Sequence, residues 1–213
     1  MVFNRVLRFK VVILGILLMG LIGCAFGGRT APSRFYLLSS LAASGSEART
    51  AIGARPIAIG IGPVEISQYL DRPQIATRLS RNELRLSEFE KWAEPLQDNV
   101  TRVLAENLAA LLRAESVTIF PWRGSLLAVD YRVQIDVIRM DGALGGDATL
   151  MARWLILEKD DRKVLLNRKS TFQEPTGTRD YKALVAAMSR TIASLSEEIA
   201  EEIRSLKSTD IVK

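Results

Sequence analysis

The sequence predicts a two-layer α/β domain, a mixed and mostly antiparallel sheet of about six strands with two long amphipathic helices on one face. Three observations carry this. Val129, Tyr131, Val133, Ile135 and Val137 alternate with Asp130, Arg132, Gln134 and Asp136, the period-two pattern of a strand with one buried and one wet face. Leu96, Val100, Val103, Leu104, Leu108 and Leu111 fall on one helical stripe, and Leu184, Met188, Ile192, Leu195, Ile199, Ile203 and Leu206 on another. Turn-forming residues separate these segments at 142–146 and 160–161. The length of 213 residues suits one core and not comfortably two.

Residues 1–10 are positively charged through Arg5, Arg8 and Lys10, and an apolar run follows over 11–21. A run that short, with charge only before it, is the core of a signal peptide. Counting on to Phe26 brings it near the lower limit of a membrane span, so an uncleaved anchor is the competing reading. Leu21-Ile22-Gly23-Cys24 favours the first. It resembles the bacterial lipobox, in which the thiol is alkylated by a diacylglycerol and the leader is cut just before it. Cys24 is the only cysteine, as a free thiol for alkylation requires. Residues 1–23 then form the leader, and 213 − 23 = 190 residues remain. With an added N-acyl chain the anchor is stable, whereas one acyl chain holds only marginally. By resemblance to lipoprotein sorting signals, Ala25, where an aspartate would retain the protein, points to the outer membrane.

Residues 24–55 are rich in small and turn-forming types and read as a flexible spacer, interrupted by one strand at 34–38. A single globular domain is expected over 56–207, with a tail at 208–213. Ile57, Ile59 and Ile61 alternate in a strand that ends at Gly62-Pro63. Segments 74–78 and 83–87 read as a hairpin around Ser80, Arg81 and Asn82. Pro95 opens the first helix, which should end near Ala114, before a strand at 117–120. The long strand at 129–137, its return with Ala148, Leu150, Ala152, Trp154 and Ile156 on one face, and a third at 164–172 make an antiparallel meander. Asp180 caps a final helix over 181–206.

Composition narrows the chemistry. The chain has no histidine, which removes His-dependent triads and His-ligated metals. One cysteine allows neither an intrachain disulfide nor a cysteine-rich metal site. The net charge of +5 falls to +2 without the leader (29 − 3 = 26 basic against 24 acidic residues), too little for a nucleic-acid surface. Glu65 stands where a dinucleotide fingerprint needs its third glycine, and no phosphate-loop or serine-nucleophile signature occurs. Asp130 and Asp136 share a strand face and are the one carboxylate pair to consider for catalysis; with Arg132 between them, a solvated face explains them as well. Trp154 reads as core and Trp92 as a staple for the helix entry. Trp122, beside Pro121, reads equally as core or as an exposed contact.

Several pieces together resemble the PqiC family, the ABC-type transport auxiliary lipoproteins of Gram-negative bacteria. They are Cys24, then Phe35-Tyr36-Leu37, Ile61-Gly62-Pro63-Val64, Tyr69-Leu70-Asp71-Arg72-Pro73-Gln74-Ile75, and Trp92-Ala93-Glu94-Pro95-Leu96 opening a helix. The resemblance implies a periplasm-facing lipoprotein that needs no cofactor and catalyses nothing. Its partners would be an MCE-domain protein, which forms a hydrophobic conduit, and the ABC transporter behind it. Ring-forming partners make a homo-oligomer plausible by analogy. The candidate partner surface is Tyr69, Leu70, Arg72, Pro73, Gln74 and Arg78, with Trp92 and Trp122. Arg72-Pro73 offers a charge on an extended chain, and 74–78 could add to a strand edge. The competing reading is that Leu70, Pro73 and Ile75 turn and fill the core. Two other function classes stand beside this one: a lipid-anchored hydrolase using carboxylates, and a structural lipoprotein of outer-membrane assembly.

Overall fold

The structure is a computed structural model that describes residues 31–41, 57–112, 116–119, 129–158 and 163–211. In chain order its elements are β1 (Arg34–Tyr36), β2 (Ala58–Ile66), β3 (Gln74–Ser80), β4 (Glu83–Trp92), α1 (Leu96–Leu112), β5 (Ser116–Ile119), β6 (Tyr131–Gly142), β7 (Asp147–Glu158), β8 (Val164–Pro175) and α2 (Tyr181–Ile211). All eight strands belong to one sheet, two more than the expected six. Cys24, Trp122, the leader and residues 42–56 lie outside the described residues.

β6 is the hub. Tyr131, Val133, Ile135 and Val137 are buried as their alternation predicts, and β7 runs antiparallel along the whole strand, followed by β8. On its other side β6 has two successive neighbours. β2 lies parallel to it from Ile59 to Ile66, with β5 parallel beyond. The β6 ladder then bulges between Val137 and Arg139, and past the bulge the partner is β3, at Thr77 opposite Gly142. A bulge bends and twists its strand, which re-aims the end of β6 from one neighbour to the next. The matching irregularity in β2 falls at Gly62, whose φ of 117° suits a residue without Cβ.

The helices cover the face that Trp154, Ile156, Val133 and Ile135 bury. Leu96, Val100, Val103, Leu104 and Leu108 of α1 pack over β2 and β5, while Leu184, Met188, Ile192, Leu195, Ile199 and Ile203 of α2 pack over β7, β8 and α1. Asp180 caps α2 as expected, its Oδ1 accepting from the Ala183 N–H at 2.8 Å. Trp154 is core, its Nε1 donating to Ser170 Oγ at 3.0 Å. Arg168 stacks over its ring and pairs with Glu198 and Glu202 of α2, which fastens the outer strand to the helix.

Two boundaries differ from expectation. The compact unit begins at Ser33, with residues 34–36 paired to β4 and the backbone of 38–41 bonded to the helices. Leu38 N donates to Asn99 Oδ1 at 2.8 Å, Leu41 N to Asn107 Oδ1 at 2.7 Å, and Ser39 N to Ser189 Oγ at 3.1 Å. Leu38 itself is buried in the core. Helix side chains thus supply acceptors for the backbone that leaves β1. At the other end α2 continues to Ile211, through positions read as the start of a tail.

Candidate functional site

The two motif segments read as most specific, one around Arg72-Pro73 and one around Trp92-Ala93-Glu94-Pro95, are about twenty residues apart in sequence and meet in space. β3 and β4 are antiparallel, so the start of one lies beside the end of the other. Trp92 N donates to Pro73 O at 2.7 Å, and Ala93 N to Tyr36 O at 2.9 Å. Residues 71–73 and 92–95 line a cleft of about 340 Å³ at this open end of the hairpin. Two prolines shape its walls, Pro73 at the end of the bend over 71–73 and Pro95 just ahead of α1, positions that their fixed φ suits at little entropic cost.

Charge is arranged around the rim. Asp71 and Arg72 are exposed, and neither side chain pairs with another of the described residues. Glu94, opposite, accepts from Asn99 Nδ2 and from Arg102 Nη2 at 3.0 Å, and these donors hold its carboxyl below the ordinary glutamate value. Just behind, buried Glu90 accepts from the mostly exposed Arg34 and from the Tyr36 hydroxyl, the latter at 2.7 Å. Burial, together with that hydrogen bond, pushes the Tyr36 hydroxyl up to about 12. Pairing of this kind keeps two acidic groups charged and fixed at one side of the cleft while Arg72 stays free on the other.

The candidate partner residues divide into three groups. Arg72 and Pro73 are exposed at the cleft, and Gln74 is half-buried where β3 begins, opposite Lys91. Leu70 and Trp92 are buried in the core, Trp92 at the end of β4, four residues before α1, where one part of it lines the cleft. Tyr69 and Arg78 point to a third place. Arg78 donates to Asp141 through Nε at 2.8 Å and Nη2 at 2.6 Å, Arg139 Nε donates to it at 2.9 Å, and the Tyr69 hydroxyl at 3.1 Å. Burial works against the Asp141 carboxylate, yet the bonds from Arg78 and the charge and bonds of Arg139 outweigh it and hold its pKa below the ordinary aspartate value. Burial and the facing Asp141 charge raise the Tyr69 hydroxyl to about 12. β3 lies between β4 and β6, its pairing with β6 being the single bridge of Thr77 with Gly142, and the outer strands of the sheet are β1, β5 and β8.

Sequence reasoning did not single out Asp141, nor the rim acids Asp71 and Glu94. The signal for Asp141 was an acid immediately after buried Met140, where a strand running on past Val137 would turn its side chains inward. The carboxylate pair considered for catalysis is spent otherwise. Asp130 Oδ2 accepts from Ala58 N at 2.9 Å, tying β2 to the approach of β6, and Asp136 lies 4.0 Å from Arg153 on the sheet's open face. Among the described residues no group of three or more metal-ligating side chains occurs, and no helix is long and apolar enough to cross a membrane.

The model of the ABC-type transport auxiliary lipoprotein component family matches residues 36–200, which takes in the cleft, the Asp141 cluster and most of α2. The chain belongs to that family. A solved structure of a DUF330 protein from Xanthomonas campestris is similar at 19% identity, with a TM-score of 0.68 over 85% of this chain and 100% of that one. A second solved structure, of an uncharacterized protein, is similar at 17% identity and a TM-score of 0.65, over 81% of this chain and 99% of that one. At these identities the likeness is one of fold. No curated protein matches this sequence. Members of the auxiliary lipoprotein family are named as transport components, which sets the class of function.

Proposed function

We propose that this auxiliary lipoprotein is a non-catalytic subunit of an intermembrane lipid-transport system, tethered to the outer membrane through lipid on Cys24, and that its cleft docks the periplasmic MCE conduit served by the ABC transporter. The convergence of the two most specific segments on one cleft carries this reading. The two ends of the β3–β4 hairpin, with an unpaired arginine and aspartate left at the rim, make a surface suited to a partner's charged and apolar groups. Asp130 accepts from the Ala58 N–H and Asp136 faces Arg153, partners that a solvated strand face explains without catalysis.

The test is capture of MCE and transporter components with the full-length lipidated protein. Arg72→Glu, which reverses the free charge without touching the core, is expected to recover several-fold less MCE protein than the wild type. Equal recovery would remove the cleft from the reading. A wild-type capture without any MCE or transporter component would overturn the reading itself, and an unmodified Cys24 by mass spectrometry would overturn the anchor.

A further inference from the structure

From 35 to 40 the chain alternates between water and protein. Tyr36, Leu38 and Ser40 turn inward, half-buried or buried, while Phe35, Leu37 and Ser39 are exposed. Phe35 is 64% exposed, the most of any large apolar side chain among the described residues, and Leu37 is 48% exposed. Two positions apart on an extended chain, they stand ~7 Å from each other on one face. A single leucine in water needs no explanation, whereas an aromatic ring and a leucine side by side form a patch. The core makes no use of either; it takes Leu38 from this segment, and Glu90 holds Tyr36.

Strand pairing shows what surrounds the patch. Phe35 is opposite Lys91 of β4, and Lys91 is opposite Gln74 of β3, so these three share a face. That face is turned away from the helices, because Trp92 and Ile75, the next residues of β4 and β3, belong to the core. One step along, Ala93 N donates to Tyr36 O and Trp92 N to Pro73 O, which sets Leu37 and Arg72 on the two sides of Ala93. Ala93 lines the cleft, so the patch adjoins it directly. The nearby acids Glu90 and Glu94 are taken up by Arg34 and Arg102. Arg72 has Asp71 beside it, but Lys91 has no acid opposite, only Phe35 and Gln74.

We infer that this outer face of β1, β4 and β3 is part of the same docking surface, and that the segment of the conduit protein it receives carries apolar side chains flanked by carboxylates. The apolar groups cover Phe35 and Leu37, and a carboxylate meets Lys91. The inference rests on the docking proposed above and names what the partner presents there. An aromatic anchor that loses its water on binding is where affinity concentrates. The lysine at its margin adds selectivity, because a basic partner segment would meet like charge.

The experiment uses the full-length lipidated protein in membranes, with p-benzoylphenylalanine in place of Phe35, or in place of Leu79 at the closed end of the hairpin as control. On illumination, position 35 should cross-link to the MCE protein several-fold more than position 79. The photoreactive side chain keeps an aromatic at an exposed site, so the fold is left alone. In capture, Phe35→Ser combined with Leu37→Ser should recover several-fold less MCE protein, and Lys91→Glu less than Lys91→Gln. Wild-type capture with no cross-link from position 35, or with equal recovery by the double variant, overturns this inference and leaves the cleft standing. A cross-link from position 35 to a second copy, or to lipid, in place of the MCE protein assigns the patch to self-association or to the bilayer and overturns it too. Full recovery by Lys91→Glu overturns the acidic character of the partner's segment. A wild type that captures no MCE protein overturns the docking reading, and this inference with it.

Discussion

Two outlying pieces of chain are fastened to the body of this protein by opposite kinds of chemistry. The β3–β4 hairpin is tied to β6 by charge: Asp141 is fully buried and receives two arginines and a tyrosine. The segment at 38–41 is tied to the helix pair by neutral groups: Asn99 and Asn107 accept from its backbone, and Asn107 Nδ2 donates onward to Ser196 of α2 at 3.1 Å. The difference follows from what is being held. A backbone needs acceptors for its N–H groups, and an amide supplies one while using its own donor elsewhere, with no charge to desolvate. The hairpin is held through side chains at a single pairing with the sheet, and there a carboxylate bound by several donors gives a stronger and more directional tie.

The comparison is most sharply tested at Asp141. Asp141→Ala leaves Arg78 and Arg139 facing a buried site without a counter-charge, and urea unfolding should show a loss of about 3 kcal/mol, the low end for a broken buried pair because both guanidiniums reach solvent. Its pH dependence has a definite sign. Because folding lowers the Asp141 pKa, the unfolded chain binds the proton more readily. This contribution to stability is whole above an unfolded aspartate's value of about 4 and is lost as pH falls through the folded value. The gap between wild type and Asp141→Ala should therefore narrow on acidification; a constant gap would mean that the tie is not ionic.

Next in size is Asn107→Ala. It strands the Leu41 N–H and takes a donor from Ser196 Oγ, which keeps its own bond to Ile192 O, and should cost about 1–3 kcal/mol, with faster hydrogen exchange at residues 38–41. A loss larger than that at Asp141 would break the ranking of the two ties. The smallest effect belongs to Arg34→Ala. Arg34 is mostly exposed, and Glu90 keeps the Tyr36 hydroxyl when it is gone. The shift in unfolding midpoint should be smaller than either of the others, and the wild-type advantage should fade with added salt.

Legibility in the sequence tracked how local the cause was. Tyr131, Val133 and Ile135 announced a one-sided strand, and the stripes of α1 and α2 announced the layer above it, because each pattern repeats within a few residues. Asp180 was readable as a cap because its partner, Ala183, is three positions away. The site was readable only in outline. Arg72 and Pro73 were picked out with Leu70 and Trp92, and nothing in the segment separated the pair that faces solvent from the pair that fills the core. Asn99 and Asn107 sit in the buried stripe of α1, where sequence alone shows two polar interruptions and no reason for them.

The sequence by itself determined the element types, the lipobox-like Cys24 and the two segments that meet in the cleft, since all of these are written in neighbouring residues. Only the tertiary structure decided that β1 runs parallel to β4, that β6 changes partner at its bulge, and that Asp141 and its neighbour Arg139 meet Arg78 and Tyr69 from more than sixty positions away. Those outcomes depend on which strands become neighbours. That choice is made by packing and bulge geometry over the whole core, and no local run of residues carries it.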